Sequence, residues 1–580
     1  MLWHIGNTTV RSPYRLRDAL RVLRGSEFNG NLSGRSQENA FAELLHNEEV
    51  LHAPRVQLGK DASDLGRKWR SALTQLGFIT PKLTNKLGAG IVDPSLLPIT
   101  NSIESLSGRP YEITPNGYRL IEANVVTAQQ ESFLRSLVSY RVPSVLERKR
   151  RKEIAPFSPL QFVLKVLQGL ESIGEEGKLS FQEFAFFVQT ASPEDCYEKI
   201  VDSILSFRTL RMENKGSVRI FERPYYVEIS SRLGIEPGTL NDYADLSFRY
   251  LKATGLFQSL GKGISVHPSR ARTASLLSSV EVVDIPGEKY LSSIWMGAEL
   301  PTDNKENSYF VVQGLIQSLN EKGQEIPDVS EDTPYEKIEN LRHELEHRAL
   351  QLAEIEYAET QSESVDEIYA WIEAIVNKGQ ARTENGEFVR VPKGEMPAYL
   401  EWIIWRSFLA INSLTNEPWE CRRFNIDQDF LPISCAPGGG PDMIFEFSNA
   451  VIVVEVTLTS SSRQEAAEGE PVRRHVAKYV EESKKPVYGL FLAISIDSNT
   501  AHTFRSGDWY LKDDRKIALD IVPMTLRDFS KFLISGKKDL SSMPDRLESL
   551  LIQCRAKANQ EAPSWKQSIN ELVEQHSSKF

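Results

Sequence analysis

Four strongly apolar segments in the last third of the chain limit the folds that are open to it. Runs this rich in Val, Ile, Leu and Phe predict strands that are covered on both faces. The segments are MIFEF (443–447), AVIVVEVTL (450–458), PVYGLFLAIS (486–495) and KIALDIVPM (516–524). Helices are predicted at 470–485 and after Thr525, which is a suitable N-cap. The alternation predicts a compact α/β domain over residues 386–580.

Carboxylates accompany the first two strands. If these strands pair through a two-residue turn at Ser448-Asn449, Asp442 lies directly opposite Glu455. Directly opposite Cβ atoms are about 4.5–5.5 Å apart, and like charges there repel unless a cation lies between them. Mg²⁺ usually takes one or two carboxylates and keeps several waters, so the pair predicts a Mg²⁺ site, with Mn²⁺ as an alternative ion. The Val456 carbonyl is a further candidate ligand. In the structural alternative, Asp442 caps a turn and Glu455 ends at the sheet edge.

Charged residues follow the second strand in the segment EGEPVRRH. Pro471 is predicted at the first position of a helix, where proline is well tolerated. His475 is a candidate to orient or deprotonate a water, because imidazole titrates near neutrality. Arg473 and Arg474 add positive charge that fits a phosphate backbone. Taken alone, His475 is interpreted as a surface residue of an amphipathic helix. Glu468 joins it as a candidate site residue.

The N-terminal half is predicted to be mainly helical, over residues 1–300, with subdomains of about 1–95 and 96–300. Strand-and-turn patterns at 110–122 and 250–270 are typical of winged-helix modules.

Charge is distributed unevenly along the chain. Residues 1–152 are net positive, whereas residues 321–370 hold 4 basic and 15 acidic residues, which equals the whole net charge of −11. This asymmetry is compatible with DNA binding at the N-terminal end, and equally with unrelated solvated surfaces. The residues predicted there for phosphate contacts are Arg11, Arg15, Arg67, Lys68, Arg70, Arg148, Arg150, Arg151 and Lys152.

Residues 301–385 are predicted to form a helical, acidic linker. Within it, residues 343–347 match HExxH, in which two His on one helical face bind zinc and Glu is the general base. The neighbouring Arg342, Glu346 and Arg348 favour instead a solvated helix with ion pairs three and four residues apart.

Composition argues against a membrane protein. No apolar run reaches the roughly 18 residues of a membrane span, and the first 15 residues lack the apolar core of a secretory signal. The four cysteines form no CxxC pair, which is typical of reduced thiols in a cytosol. We therefore expect a cytoplasmic protein without a membrane partner.

Several of these segments together resemble one known family. The chain resembles the AlwI family of type IIS restriction endonucleases and their strand-nicking relatives, and its C-terminal domain resembles the PD-(D/E)XK nuclease fold. The segments that carry the resemblance are PDMIFEFSNAVIVVEVT, EGEPVRRH, YLEWIIWRSF, RSPYRLRDALRVL, SQENAFAELL and YLKATGLF.

The resemblance implies a multidomain α+β protein with a winged-helix-like DNA-recognition half, a helical linker and a PD-(D/E)XK cleavage domain. It implies a prokaryotic enzyme of a restriction-modification system that cuts double-stranded DNA with Mg²⁺, a few base pairs outside a short asymmetric sequence. The active-site residues that it implies are Glu401, Asp442, Glu455, Glu468 and His475, with Val456 as a metal ligand. Thr457 stands where the nuclease signature has Lys, which leaves His475 or Glu468 as the candidate to activate the water.

Alternatives stay open at this point. One hydrolytic centre cuts one strand per engagement, so a double-strand break needs a homodimer, a second nuclease subunit or sequential action. A nicking endonuclease or the large subunit of a heterodimeric restriction enzyme is the first alternative. A non-catalytic winged-helix DNA-binding protein is the alternative from another class. Opposed carboxylates disfavour it, because a purely structural hairpin gains nothing from them.

Overall fold

The protein is described here by a computed structural model. It covers residues 2–51, 53–82, 108–142, 157–192, 195–280, 287–383, 385–392, 394–460 and 462–578. The chain is multidomain and mostly helical with small sheets. It divides into two compact units, Met1–Ala349 and Leu350–Phe580. The predicted boundaries at 300 and 385 stay predictions.

Helices make up most of the first unit. They are α1 (Arg15–Arg24), α2 (Gly34–Asn47), α3 (Pro54–Gln57), α4 (Ser63–Gln75), α5 (Pro115–Glu122), α6 (Val126–Ser139), α7 (Pro159–Ser172), α8 (Phe181–Glu183), α9 (Tyr197–Glu213), α10 (Val218–Leu233), α11 (Pro237–Lys252), α12 (Ala271–Ser279), α13 (Gly287–Met296) and α14 (Lys305–Glu321). The mainly helical character predicted for the N-terminal half is confirmed, beginning with α1, α2 and α4. α4 packs closely on α2 because Gly66 has no Cβ, which would collide with the Glu38 carbonyl.

Short antiparallel sheets accompany these helices. Their strands are β1 (Ile79–Pro81), β2 (Tyr111–Ile113), β3 (Lys178–Ser180), β4 (Phe257–Leu260) and β5 (Gly263–Val266). β1 pairs with β2, and the other three form a sheet in the order β3-β5-β4. The predicted strand-turn-strand near residue 260 is confirmed, and Gly261 adopts the positive φ of +58° that its tight turn requires. The helix that follows β2 is α5, which begins with Pro115 after the capping side chain of Thr114.

The predicted long charged helix is α15 (Tyr335–Thr360), which contributes residues to both units. Ion pairs at the expected spacings are present: Arg342 pairs with Glu339 three residues away and with Glu346 four residues away. The expectation that this part of the helix is solvated is wrong for Arg342 and Glu346. Both are buried, because Arg270 also reaches Glu346 and the charges compensate one another.

The HExxH match on α15 does not form a zinc site. His343 and His347 are both exposed. Over the ranges given above, no cluster of three or more His, Cys, Asp or Glu side chains has the arrangement of a metal cage.

The second unit is an α/β domain. Its helices after α15 are α16 (Val365–Val376), α17 (Met396–Ile411), α18 (Pro418–Cys421), α19 (Arg463–Glu482), α20 (Ser498–Arg505), α21 (Leu526–Ser535), α22 (Met543–Ala556) and α23 (Ala562–Ser578). Its strands are β6 (Gln380–Arg382), β7 (Phe388–Arg390), β8 (Met443–Glu446), β9 (Val451–Thr457), β10 (Val487–Ala493), β11 (Asp508–Tyr510), β12 (Lys516–Ala518) and β13 (Asp520–Thr525).

A four-stranded mixed sheet forms the centre of this unit, in the order β13-β10-β9-β8. β10 runs parallel to both β9 and β13, whereas β8 is antiparallel to β9. Every residue of β10 and all but one of β9 are buried, so the expectation of strands covered on both faces is confirmed for these two. It is wrong for β8, where buried and half-buried residues alternate, and for β12, which is largely exposed. The flanking helices contribute the rest of one continuous apolar core.

Two details differ from the sequence-based expectations. The segment KIALDIVPM is two strands: β12 pairs with β11 in a separate two-stranded sheet, and β13 joins the central sheet. Pro471 lies inside α19 and not at its first position, because the helix begins at Arg463. The Gln464 side chain anchors that early turn by donating to the carbonyls of Thr459 and Ser495.

None of the helices in the described ranges combines the length and the apolar character that a membrane crossing needs.

Candidate active site

The β8–β9 hairpin has the predicted register. Glu446 pairs with Val451 and Met443 with Val454, and the Phe447 amide donates to the Ala450 carbonyl at 2.8 Å. Continued one residue outward, this register places Asp442 opposite Glu455. A two-residue turn fixes the register of a hairpin, which is why the sequence predicted it.

Asp442 is held at the end of β8 from two sides. Its Oδ2 accepts a hydrogen bond from the Val456 amide at 2.8 Å. On the other side, an isolated antiparallel bridge joins Met443 to Arg422, and the Arg423 amide donates to the Asp442 carbonyl at 3.3 Å. Because directly opposite residues point to the same face, Arg423, Asp442 and Glu455 form a row across three neighbouring extended segments.

Helix α19 brings His475 to the second carboxylate of this row. The Nδ1 atom of His475 lies 2.6 Å from Oε1 of Glu455, and both residues are buried. At that distance one proton lies between the two groups. The other ring nitrogen, Nε2, is buried without a hydrogen-bond partner.

Glu401 approaches the same carboxylates from α17. It is buried, and its Oε2 accepts a hydrogen bond from the Ala436 amide at 2.7 Å. Cys435 also donates a hydrogen bond to it. α17 crosses the core and is buried on nearly all sides, so Glu401 in its second turn is held inside the protein.

Burial and mutual repulsion raise the pKa of all three carboxylates. Burial, then the charge of Asp442, raises the pKa of Glu401 to about 9. Burial, then the charge of Glu455, raises the pKa of Asp442 to about 8. Burial, then the charge of Glu468, raises the pKa of Glu455 to about 8. Such a cluster of like charges is unfavourable without a cation and is a frequent mark of functional sites.

His475 is shifted in the opposite direction. Burial, followed by the positive charges of Arg474 and Arg423, lowers the pKa of its imidazole. The ring is therefore neutral near pH 7 and can accept a proton. Glu468, half-buried on the same helix, contributes negative charge to the cluster.

The sequence model of the AlwI restriction endonuclease family matches residues 74–532 of this chain. The chain belongs to the AlwI restriction endonuclease family. Membership makes it a site-specific DNA endonuclease of the restriction class. No curated protein sequence matches the chain.

Solved structures of restriction endonucleases are similar to this AlwI-family chain, with low structural scores. They include the small subunit of the heterodimeric restriction endonuclease R.BspD6I, at 26% identity over 36% of this chain and 97% of that chain, with a TM-score of 0.28. The DNA-bound binding domain of the BpuJ1 endonuclease has 11% identity over 48% of this chain and 88% of that chain, with a TM-score of 0.29. The restriction endonuclease FokI has 12% identity over 94% and 97%, with a TM-score of 0.24. The family assignment rests on the sequence match.

The donor set of this AlwI-family site fits a hard divalent cation. Asp442 and Glu455 offer carboxylate oxygens, and neither forms an ion pair with Lys or Arg within the described part of the chain. Two carboxylates are fewer than the three side chains of a full protein cage, as noted above. Mg²⁺ is usually bound in this way, with waters and substrate phosphate completing its shell. The roles predicted for Val456, Glu468 and His475 stay predictions.

Most residues predicted to contact DNA already have protein partners. Arg67, which is exposed on α4, is the exception among those described. Arg11 pairs with Asp242 and Asp245, Arg15 donates to the Val50 carbonyl, Lys68 pairs with Asp64, Arg70 pairs with Glu38, Arg473 bonds to the Asp508 carbonyl, and Arg474 pairs with Glu470. Arg148, Arg150, Arg151 and Lys152 lie outside the described residues.

Two residues near the carboxylates were missed from the sequence. Arg423 lies 19 positions before Asp442 and Cys435 lies 7 before it, in a loop-rich stretch without periodicity. Only the bridge between Arg422 and Met443, a long-range pairing, brings Arg423 to the site. No local sequence signal reports such a pairing.

Proposed function

We propose that this chain is a type IIS endonuclease that hydrolyses DNA phosphodiesters with Mg²⁺, a few base pairs outside a short asymmetric recognition sequence. The observation that carries the proposal is the facing pair of Asp442 and Glu455, whose carboxyls have raised pKa values and, within the described residues, no bonded Lys or Arg side chain. The pair lies in a chain whose family is a restriction endonuclease family.

The second unit supplies the cleavage chemistry in this proposal. Its order of helix α17, hairpin β8–β9, helix α19 and strand β10 supports a PD-(D/E)XK nuclease domain. Asp442, Glu455 and the Val456 carbonyl hold Mg²⁺, with Mn²⁺ as an alternative ion. Bound Mg²⁺ supplies a Lewis acid that lowers the pKa of water and offsets charge on the scissile phosphate.

His475 and Glu468 complete the site in this proposal. His475 orients Glu455 through the 2.6 Å contact. Its neutral ring and unpartnered Nε2 favour it over Glu468 as the group that accepts the proton of the attacking water. Glu401, with a pKa of about 9, is protonated at neutral pH and acts as a hydrogen-bond donor beside Asp442.

The first unit supplies DNA recognition in this proposal. The element order α7, β3, α8, α11, β4 and β5, with the sheet order β3-β5-β4, supports a winged-helix module. The helical hairpin α9–α10 is an insertion before α11. Double-stranded DNA is the partner, and the proposed location is the prokaryotic cytoplasm.

One facing-carboxylate site within the described residues favours a second candidate, a strand-nicking enzyme. A single site cleaves one strand in each engagement, so a double-strand break requires a second copy of the chain, a second nuclease subunit, or a second event. A lone chain that only nicks satisfies the same geometry.

A plasmid time course tests the function. Supercoiled plasmid is incubated with Mg²⁺ and wild-type protein, and the ends are sequenced. We expect nicked circles first, at fixed positions beside one short sequence, and linear product only later if a second copy assembles. Asp442→Asn is expected to abolish cleavage, and Asp513→Asn, an exposed aspartate in the same unit, to preserve it. A wild-type protein that binds DNA without cleaving it, with Mg²⁺ or Mn²⁺, would support the non-catalytic DNA-binding alternative.

A further inference from the structure

Arg423 is the positively charged member of the row that holds the two facing carboxylates. The Arg422–Met443 bridge places Arg423 beside Asp442, on the side away from Glu455. Its positive charge acts to lower the pKa of Asp442, Glu455 and His475, and the register places Arg423 on the face of the sheet that carries the two carboxylates. The Arg423 guanidinium is therefore a positive charge near the site that forms no ion pair with the described carboxylates.

The guanidinium of Arg423 is positioned but not neutralised. One of its terminal nitrogens donates to the Pro441 carbonyl at 3.0 Å. The same group lies against Gly440, where an added Cβ would collide with it. Within the described residues it forms no ion pair, and the side chain is partly exposed. An arginine has five N–H donors, so most of them are open to a ligand.

The position where the nuclease signature carries lysine offers no such charge. Thr457 lies two residues after Glu455 on the same face of β9. Its Oγ1 accepts a hydrogen bond from the Thr459 amide at 3.1 Å, so the hydroxyl is engaged in the turn that follows the strand. A hydroxyl also cannot neutralise the charge of a phosphate.

We propose that Arg423 contacts the scissile phosphate and stabilises the negative charge that develops on it during cleavage. This inference rests on the proposed endonuclease function. Guanidinium remains charged at all working pH values and matches phosphate oxygens with two parallel N–H donors. Arg423 transfers no proton and forms no bond; it supplies fixed positive charge at the reacting group.

A bracing role is the competing explanation. Arg423 holds the Pro441 carbonyl directly before Asp442, so its removal could displace the carboxylate. The two roles predict opposite effects on cation affinity. Loss of a brace weakens cation binding, because Asp442 is no longer held. Loss of a phosphate contact leaves cation binding unchanged or tighter, because a positive charge near the carboxylates is gone.

The test compares Arg423→Met and Arg423→Lys with wild type and with Arg515→Met, an exposed arginine of the β11–β12 hairpin. Three quantities are measured: affinity for Mn²⁺ by thermal shift, affinity for cognate duplex in Ca²⁺, and the single-turnover cleavage rate in Mg²⁺. For Arg423→Met we expect a cleavage rate reduced by about 10²-fold or more, with unchanged or tighter Mn²⁺ binding and an unchanged melting temperature. We expect Arg423→Lys to recover part of the rate, and Arg515→Met to match wild type.

Two results would overturn the inference. One is cleavage by Arg423→Met at the wild-type rate. The other is weakened Mn²⁺ binding with a lowered melting temperature, which identifies a brace. Failure of the proposed function is distinguishable, because in that case wild type itself cleaves no DNA with Mg²⁺ or Mn²⁺, whatever the cation affinity of the Arg423 variants.

Discussion

At Asp442, burial and the facing Glu455 both oppose the charged form that a cation site needs. The folded protein therefore holds protons on these acids up to about pH 8, whereas the unfolded chain loses them near pH 4. An acid with a raised folded-state pKa lowers stability as pH rises between the two values, because the unfolded state then binds fewer protons. Without a cation, this site is a source of instability at neutral and alkaline pH.

Replacing Asp442 by Asn should stabilise the metal-free protein. The variant removes one of the repelling carboxylates while keeping an oxygen that accepts from the Val456 amide. In EDTA at pH 8 we expect stabilisation of about 1 kcal/mol or more, or roughly 2–4 °C in melting temperature for a unit of this size. The gain should shrink towards pH 5, where the acids are protonated in wild type. Calorimetry at both pH values checks this, with Asp513→Asn as the control; a loss of stability at pH 8 contradicts it.

Substitutions of His475 can separate its role as a hydrogen-bond donor to Glu455 from its role as a base. His475→Asn retains a donor near the position of Nδ1, facing Glu455, but has no group that titrates near neutrality. His475→Ala lacks both. If His475 only orients Glu455, Asn should recover most of the rate that Ala loses, a loss of about 10- to 100-fold. If it accepts the proton, as proposed, both variants should be slow. Single-turnover cleavage with duplex DNA decides between the two roles.

Among the elements, the contact between α19 and β10 determines where His475 lies. Gly489 of β10 faces Val476, the neighbour of His475, and an added Cβ would come within 2.8 Å of the Val476 Cγ2 and 2.9 Å of the Ile521 Cγ1. Glycine at this position lets the helix approach the sheet closely. The distance from His475 to Glu455 depends on that approach.

Gly489→Ala should therefore slow cleavage without touching the site. The helix must move outward by several tenths of an ångström, and misplacement of about 1 Å can cost about 10²-fold in rate. We expect a clear loss of rate together with lower stability, since overpacking a core costs about 1–3 kcal/mol. Gly379→Ala, where an added Cβ meets nothing within 4 Å, is the matched control. Equal rates for both variants would show that α19 tolerates the shift.

The local sequence pattern predicted the helices and strands of the second unit well, but it predicted less well which strands pair with one another. The turn at Ser448-Asn449 was sufficient for the register of β8 on β9, because a two-residue loop leaves little freedom. In KIALDIVPM, however, the apolar pattern continues while the pairing partner changes at Leu519, whose amide donates to the Gly507 carbonyl. Pro471 misled in the same way, since long-range bonds of Gln464 begin α19 before it. The position of Arg423 near the site could not be predicted, because it results from a bridge between segments that are distant in the sequence.

For the whole molecule, the division into two units separates the proposed recognition region from the proposed cleavage chemistry. Family membership establishes the endonuclease class, and the sequence alone had already predicted it from six segments in collinear order. Which basic residues contact DNA is harder to predict, because the sequence does not show which arginines form ion pairs with carboxylates in the folded protein. Arg11 illustrates this, with Asp242 at 2.6 Å and Asp245 at 3.3 Å.

Arg67 should contribute to DNA affinity where Arg11 does not. Arg67→Ala removes an exposed charge that has no partner among the described residues, so binding should weaken for all sequences and the slope of log affinity against log salt should fall by about 0.9. Arg11→Ala removes a charge that Asp242 and Asp245 already offset, and the slope should stay unchanged. Titrations at several salt concentrations in Ca²⁺ measure both. Equal slopes for Arg67→Ala and wild type would remove Arg67 from the DNA interface.

The facing carboxyls of the β8–β9 hairpin also couple the binding of a divalent cation to the release of protons. Because Asp442 and Glu455 are protonated near pH 7, each must give up its hydrogen ion to the buffer as a divalent ion enters. The heat recorded by titration calorimetry near pH 7 should therefore differ between phosphate-free buffers of high and low ionisation enthalpy, such as Tris and Pipes. The slope of the observed heat against the ionisation enthalpy of the buffer gives the number of protons released for each divalent cation bound.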